Sequence, residues 1–376
     1  MPERQQKRVL VIGPMPMDEE LVTGLRLSFA TMLDALVREP SIDVTLHDLS
    51  VPREGRSQLR QSVDEARIFA GLVGRITTPW SRLDAVMFNT SARGLLRAGA
   101  VVRSACKARG LPLVIRVFGG DLDLVVDEAG ERARRSLEQS TLQADRVLLQ
   151  THALCERFKS SEDCRRVRWW PTTRDVPRVP GPRPDTARRF LYLGPIRAEK
   201  GIAEAVAASA WLPEGSSLTL VGPVHRDFDL SGLDLGDRCE HRASLPEGGV
   251  DALLAEHDVL VFPSYHRREG MPGVVLEAMQ AGLPVITTRW RAIPELVEDG
   301  ENGVLVPPRC PEGLGAAMRR LTESHTLFRR LRDGARVTGE RFRSAHWDPK
   351  LVRWIHELIE ERASGDTGSR GRRSAS

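Results

Sequence analysis

Several things are missing from this chain, and each absence narrows what it can be. Five cysteines (106, 155, 164, 239 and 310) are scattered over 376 residues with no C-x-x-C pair. That spacing offers neither a disulfide frame nor a zinc site and fits reduced thiols in the cytoplasm. No apolar stretch approaches the roughly 20 residues of a membrane-spanning helix. The opening MPERQQKRVLVIGPMPM holds only the apolar run Val9–Ile12, a strand's length, so it does not read as a signal peptide. The expected location is therefore cytoplasmic, with at most peripheral contact at the inner membrane face. A net charge of +4 is small for this length and argues against a nucleic-acid binder, although a pI near 9.0 allows weak attraction to acidic surfaces. The fingerprint G-x-G-x-x-G of dinucleotide-binding dehydrogenases is absent, and no nucleophile–His–Asp arrangement stands out.

What remains is alternation. Buried-strand runs at Arg8–Gly13, Ile42–Leu46, Ala85–Phe88, Leu113–Val117, Arg146–Leu149 and Val167–Trp170 are separated by segments of helical character. The helices are expected near Gly24–Val37, Gln58–Gly74 and Ala92–Arg109. Strands apolar on both faces, alternating with helices, predict a doubly wound parallel sheet. Residues 173–189 are rich in Pro and Arg without apolar periodicity and read as a linker. A second strand series then runs through Phe190–Gly194, Leu218–Gly222, Val259–Phe262, Pro284–Thr287 and Gly303–Val306. The expected domains are 1–172, 190–346, a closing helix within 347–362 and a disordered Gly/Ser/Arg-rich tail, 363–376.

The densest chemistry lies in Glu269–Gly270–Met271–Pro272–Gly273–Val274–Val275–Leu276–Glu277. A strand, a Gly/Pro loop and a helix start present free backbone N–H groups, which suit a phosphate-bearing ligand. Carboxylates beside such a site make sense as acceptors for sugar hydroxyls flanking a diphosphate. Upstream, Gly194–Pro–Ile–Arg197–Ala–Glu–Lys200–Gly201 follows a strand and places two cations at its carboxyl end. In the first half, Thr23–Gly24 opens a helix after a long loop, and Gly24 suits close backbone approach to a phosphate. Arg116–Val–Phe118–Gly–Gly–Asp121–Leu–Asp123 follows another buried strand. Asp121 is a candidate to contact a ligand at this strand's carboxyl end, or simply to cap its loop. The triplet Asp121–x–Asp123 is too cheap to carry a metal site, since Asp227–x–Asp229 repeats it. His152 and the run His266–Arg268 are open between a structural or solvated role and a place facing the ligand.

The block from Asp258 through Glu269, Glu277, Gly282–Ile286, Ile293–Glu295 and Asn302–Gly303 resembles the Glu-x7-Glu region of retaining glycosyltransferases of the GT4-like group. That resemblance implies a GT-B fold, with two Rossmann-like, doubly wound α/β domains facing a cleft. It implies a nucleotide-diphospho-sugar donor and a hydroxyl acceptor, whether glycan, lipid-linked glycan or small metabolite. No cofactor and no metal are implied. Glu277 would bind the ribose, Glu269 the transferred sugar, and Arg197 and Lys200 the diphosphate; the closing helix would cross back to the first domain. Relatives often carry His where this chain has Phe118, so no imidazole base is assumed. Rival readings are a GT-B nucleotide-sugar epimerase and a catalytically inactive, sugar-binding subunit.

Overall fold

A computed structural model describes residues 6–15, 24–50, 57–159, 166–177 and 184–365. The chain divides into two compact units, residues 1–171 with 344–376, and residues 172–343.

The first unit is built on β1 (Lys7–Gly13), α1 (Gly24–Arg38), β2 (Ile42–Asp48), α2 (Gln58–Thr77), β3 (Ala85–Ser91) and α3 (Ala92–Ala108). It continues with β4 (Leu113–Phe118), α4 (Leu122–Gln139), β5 (Arg146–Leu149), α5 (His152–Phe158) and β6 (Val167–Trp169). Its six strands are parallel, in the order β2-β1-β3-β4-β5-β6. Alternate residues of each strand feed two cores. Leu10, Ile12, Val86 and Phe88 pack on one face; Val9, Val11, Ala85 and Met87 pack on the other. This two-sided burial is why the strands read as continuous apolar runs.

The second unit comprises β7 (Arg189–Leu193), α6 (Ile202–Ser209), β8 (Ser217–Val221), β9 (Cys239–Arg242), α7 (Gly249–Glu256) and β10 (Val259–Phe262). It closes with α8 (Gly273–Gln280), β11 (Val285–Thr288), β12 (Gly303–Val306), α9 (Pro311–Glu323) and α10 (His325–Glu340). These strands are also parallel, in the order β12-β11-β10-β7-β8-β9. From β7 the chain crosses to β8 on one side and later returns to β10 on the other. The carboxyl ends of β7 and β10 therefore flank the point where the winding reverses, the place where such sheets take ligands.

Three features differ from the sequence reading. Residues 173–177, expected in the linker, are packed within the second unit: Gln280 binds the backbone of both Arg174 and Val176. β9 is an extra edge strand whose polar residues Glu240, His241 and Arg242 hid it, as charge on an edge strand does. The last helix, α11 (Ser344–Ala363), begins before Pro349 and groups with the first unit. Trp347 and Trp354 of α11 pack edge-on against Trp170. Of the predicted tail, residues 366–376 lie outside the described residues, as does Thr23.

Candidate active site

Two loops meet at the reversal point. The first follows β7, and its last residue, Gly201, sits at φ 75° with Pro263 so close that an added Cβ would lie 2.3 Å from its carbonyl oxygen. Only glycine fits there without parting the loops. The second loop follows β10, and its Tyr265 N–H donates to the Glu199 carbonyl across the gap, at 2.9 Å.

The same two loops bring Lys200 and Glu269 together, with Nζ 2.7 Å from Oε2. The Ser264 hydroxyl donates to that same oxygen at 2.6 Å. Both side chains are largely buried, 16% exposed for Lys200 and 10% for Glu269. Lys200 also lies over the Phe262 ring, 5.3 Å from its centroid. The ammonium has three donors, and Glu269 takes one, so the Lys200 ammonium is held in place with donors left for a ligand oxygen. Ser264 had no assigned role in the sequence; a serine five residues before a glutamate is the only trace it leaves there. It is held in turn by Thr288, whose hydroxyl donates to the Ser264 carbonyl, while the Trp290 indole donates to the His266 carbonyl at 2.9 Å. β11 thus braces the β10 loop.

Glu277 lies on α8. The residue at its N-cap is Pro272, which supplies no side-chain cap. The first N–H groups of the helix, from Gly273 and Val274, thereby keep the anion-binding character expected of a helix start. Met271 is buried, and its carbonyl accepts from the Thr172 hydroxyl at 3.1 Å. Glu277 Oε1 accepts from Arg174 Nε at 2.6 Å, and both side chains are largely buried. Gly273 makes room for this arginine, because an added Cβ would lie 2.2 Å from its Nη2. Arg174 was missed in the sequence, since it pairs with a partner 103 residues away and sits in a stretch that reads as linker.

The remaining candidates are distributed differently. Arg197 pairs with Glu199 at 2.8 Å and is 36% exposed, a more solvated setting than that of Lys200. Asp121 stands at the N-cap position of α4 in the first unit, with Asp123 in the first turn. Gly24 opens α1, also in the first unit. Phe118 ends β4 inside the core with the buried Arg116 guanidinium 4.5 Å from its ring centroid. His152 is stacked on Trp169 with ring centroids 4.0 Å apart, which gives it a packing role. Among the described residues no group of three or more His, Cys, Asp or Glu is placed to hold a metal ion, and no helix is long and apolar enough to cross a membrane.

His266 lies near the Lys200–Glu269 pair. Burial, reinforced by the Lys200 cation, lowers its pKa. Burial likewise lowers those of His47 and His257. The unfolded chain then binds protons near pH 6.5 that the native chain refuses, so stability is full above that pH and is lost as pH falls through it. The thermal midpoint should fall between pH 7.5 and 5.5 in calorimetric scans; a flat or rising midpoint would contradict the burial of these rings.

A family model described as glycosyl transferases group 1 matches residues 187–324. The glycogen synthase of Mycobacterium tuberculosis is 33% identical over 175 residues, 44% of this chain and 40% of that protein. The D-inositol 3-phosphate glycosyltransferase of Streptomyces bingchenggensis is 39% identical over 136 residues, 36% and 28% of the two chains. The chain thus spans well under half the length of these relatives. Among solved structures, sucrose-phosphate synthase from Thermosynechococcus elongatus has a TM-score of 0.71 at 18% identity, covering 94% of this chain and all of that one. HepE from Anabaena, in complex with UDP and glucose, has a TM-score of 0.68 at 17% identity, with 94% and 100% covered. Two parallel six-stranded sheets and these likenesses give the GT-B fold, and within it residues 187–324 are similar to the group 1 glycosyl transferases.

Proposed function

We propose that this protein is a retaining, metal-independent glycosyltransferase that moves a sugar from a nucleotide-diphospho-sugar to a hydroxyl acceptor. The observation that carries the reading is the Lys200–Glu269 pair, held where the second sheet reverses and beside the uncapped start of α8. The diphosphate would lie against Lys200 and the α8 N–H groups, the ribose against Glu277 and the transferred sugar against Glu269. As the bond from the anomeric carbon to the diphosphate breaks, negative charge grows on the departing oxygen. A cation fixed there stabilises the transition state more than the ground state. The acceptor oxygen would bond to the anomeric carbon on the face the leaving group vacates, keeping its configuration, and its proton would pass to the departing phosphate. This route needs no imidazole, in keeping with the buried Phe118 at the end of β4.

The acceptor is a glycan, a lipid-linked glycan or a small metabolite, and the site of action is the cytoplasm. HepE was solved with UDP and with UDP-glucose, which makes uridine donors the first to try. The test is hydrolysis and transfer across UDP-, GDP-, ADP- and dTDP-sugars; failure to bind or turn over any of them would defeat the reading. Activity should survive excess EDTA, because Lys200 supplies the charge a metal would bring. Complete loss that only Mg2+ or Mn2+ reverses would overturn metal independence.

A further inference from the structure

We propose that Arg174 is a positioning residue that makes the donor site select ribonucleotides over 2′-deoxyribonucleotides, an inference that rests on the donor-site reading above. Arg174 Nε binds Glu277 Oε1 at 2.6 Å, and Arg174 Nη1 donates to the Thr173 carbonyl at 2.8 Å. The segment that carries it is locked to α8 by Gln280, whose side chain bonds the Val176 N–H at 2.9 Å and the Arg174 carbonyl at 2.6 Å. The guanidinium is therefore fixed from both ends, and it fixes one carboxylate oxygen of Glu277. The other oxygen, Oε2, has no hydrogen bond within the described structure, and the Glu277 side chain is 14% exposed. One oxygen held and one offered is a directional acceptor. A carboxylate free to rotate would accept from either ribose hydroxyl, whereas this one is aimed. The aim comes from residues 172–177 and not from α8, and Gly273 is the opening that lets the guanidinium reach across the helix start.

A ribose hydroxyl donating to an ionised acceptor is worth enough that its loss should weaken binding about tenfold. Binding is measured by calorimetry for UDP, GDP and ADP, and then for the 2′-deoxy form of the tightest of them. The proteins are wild type, Arg174→Met, Arg174→Lys and Glu277→Gln, each checked for folding by circular dichroism. Wild type should prefer the ribonucleotide about tenfold, and Arg174→Met and Glu277→Gln should each reduce the preference to within about twofold. Their double variant should add nothing, since both remove one unit. With the corresponding nucleotide-sugar, Arg174→Met should raise donor KM while kcat stays within about twofold, the mark of lost uniform binding. Arg174→Lys, which keeps the charge but not the planar fork, should lose at least half of the preference; it carries the test if Arg174→Met does not fold. A wild type that binds no nucleoside diphosphate would overturn the donor-site reading itself. A wild type that binds without ribose preference, or folded Arg174 variants that keep the preference, would overturn this proposal alone.

Discussion

Lys200→Ala should lower kcat about a hundredfold, the effect of removing about 3 kcal/mol of preorganised charge from a transition state. Arg197→Ala should lower it far less. The two residues are three apart on one loop, but only Lys200 is drawn under the β10 loop, buried against Phe262 and bonded to Glu269. Arg197 is half-exposed and already answered by Glu199, a setting in which solvent screens what a charge can do. Lys200→Arg should recover only part of the loss, because a guanidinium fork does not fit a place shaped for a compact ammonium. The substitution to alanine also leaves Glu269 without its cation, so the melting temperature should drop as well, and kcat must be read on folded protein. A folded Lys200→Ala enzyme within about twofold of wild type, roughly 0.4 kcal/mol, would remove Lys200 from the reaction.

Glu277→Ala should act through binding and through stability together. Its hydrogen bond to the ribose exists in ground and transition state alike, so the loss appears as a donor KM raised about ten- to a hundredfold with kcat nearly kept. The stability cost arises elsewhere. Arg174 is 5% exposed, and deleting the carboxylate removes a charge-assisted hydrogen bond from its buried guanidinium, which costs about 1.5–3 kcal/mol. Glu277→Gln keeps a hydrogen-bond acceptor for Arg174 and should restore part of the melting temperature without restoring donor affinity. An unchanged KM in the folded alanine variant would show that Glu277 serves only to hold Arg174.

These two residues also mark how far the sequence could be read. Lys200, Glu269 and Glu277 were visible because strand, loop and helix signals lie contiguous around them. The parallel sheets were visible because strands buried on both faces must be apolar throughout. What stayed hidden was held by long-range pairing. Arg174 gains meaning only from Glu277, and nothing local in Thr172–Thr173–Arg174–Asp175 predicts that a charged side chain there is buried. Ser264 lies inside the block that resembles the family, yet its bond to Glu269 depends on how the loop curls between them. Arg197 and Lys200 read alike as neighbouring cations, and only packing separates them. Phe118 departs from the His that relatives often carry, and its ring is buried in the core beside the Arg116 guanidinium.

Hydrogen exchange tests the central claim most directly, because it reads the location of the donor independently of turnover. Backbone amides are followed with and without a saturating nucleoside diphosphate from the binding panel, in wild type and in Lys200→Ala. The loops after β7 and β10 and the first turn of α8, residues 194–201 and 263–277, should gain protection in wild type, and much less in the variant at the same ligand concentration. Protection confined to other segments, or unchanged by loss of Lys200, would contradict a donor site at the reversal of the second sheet.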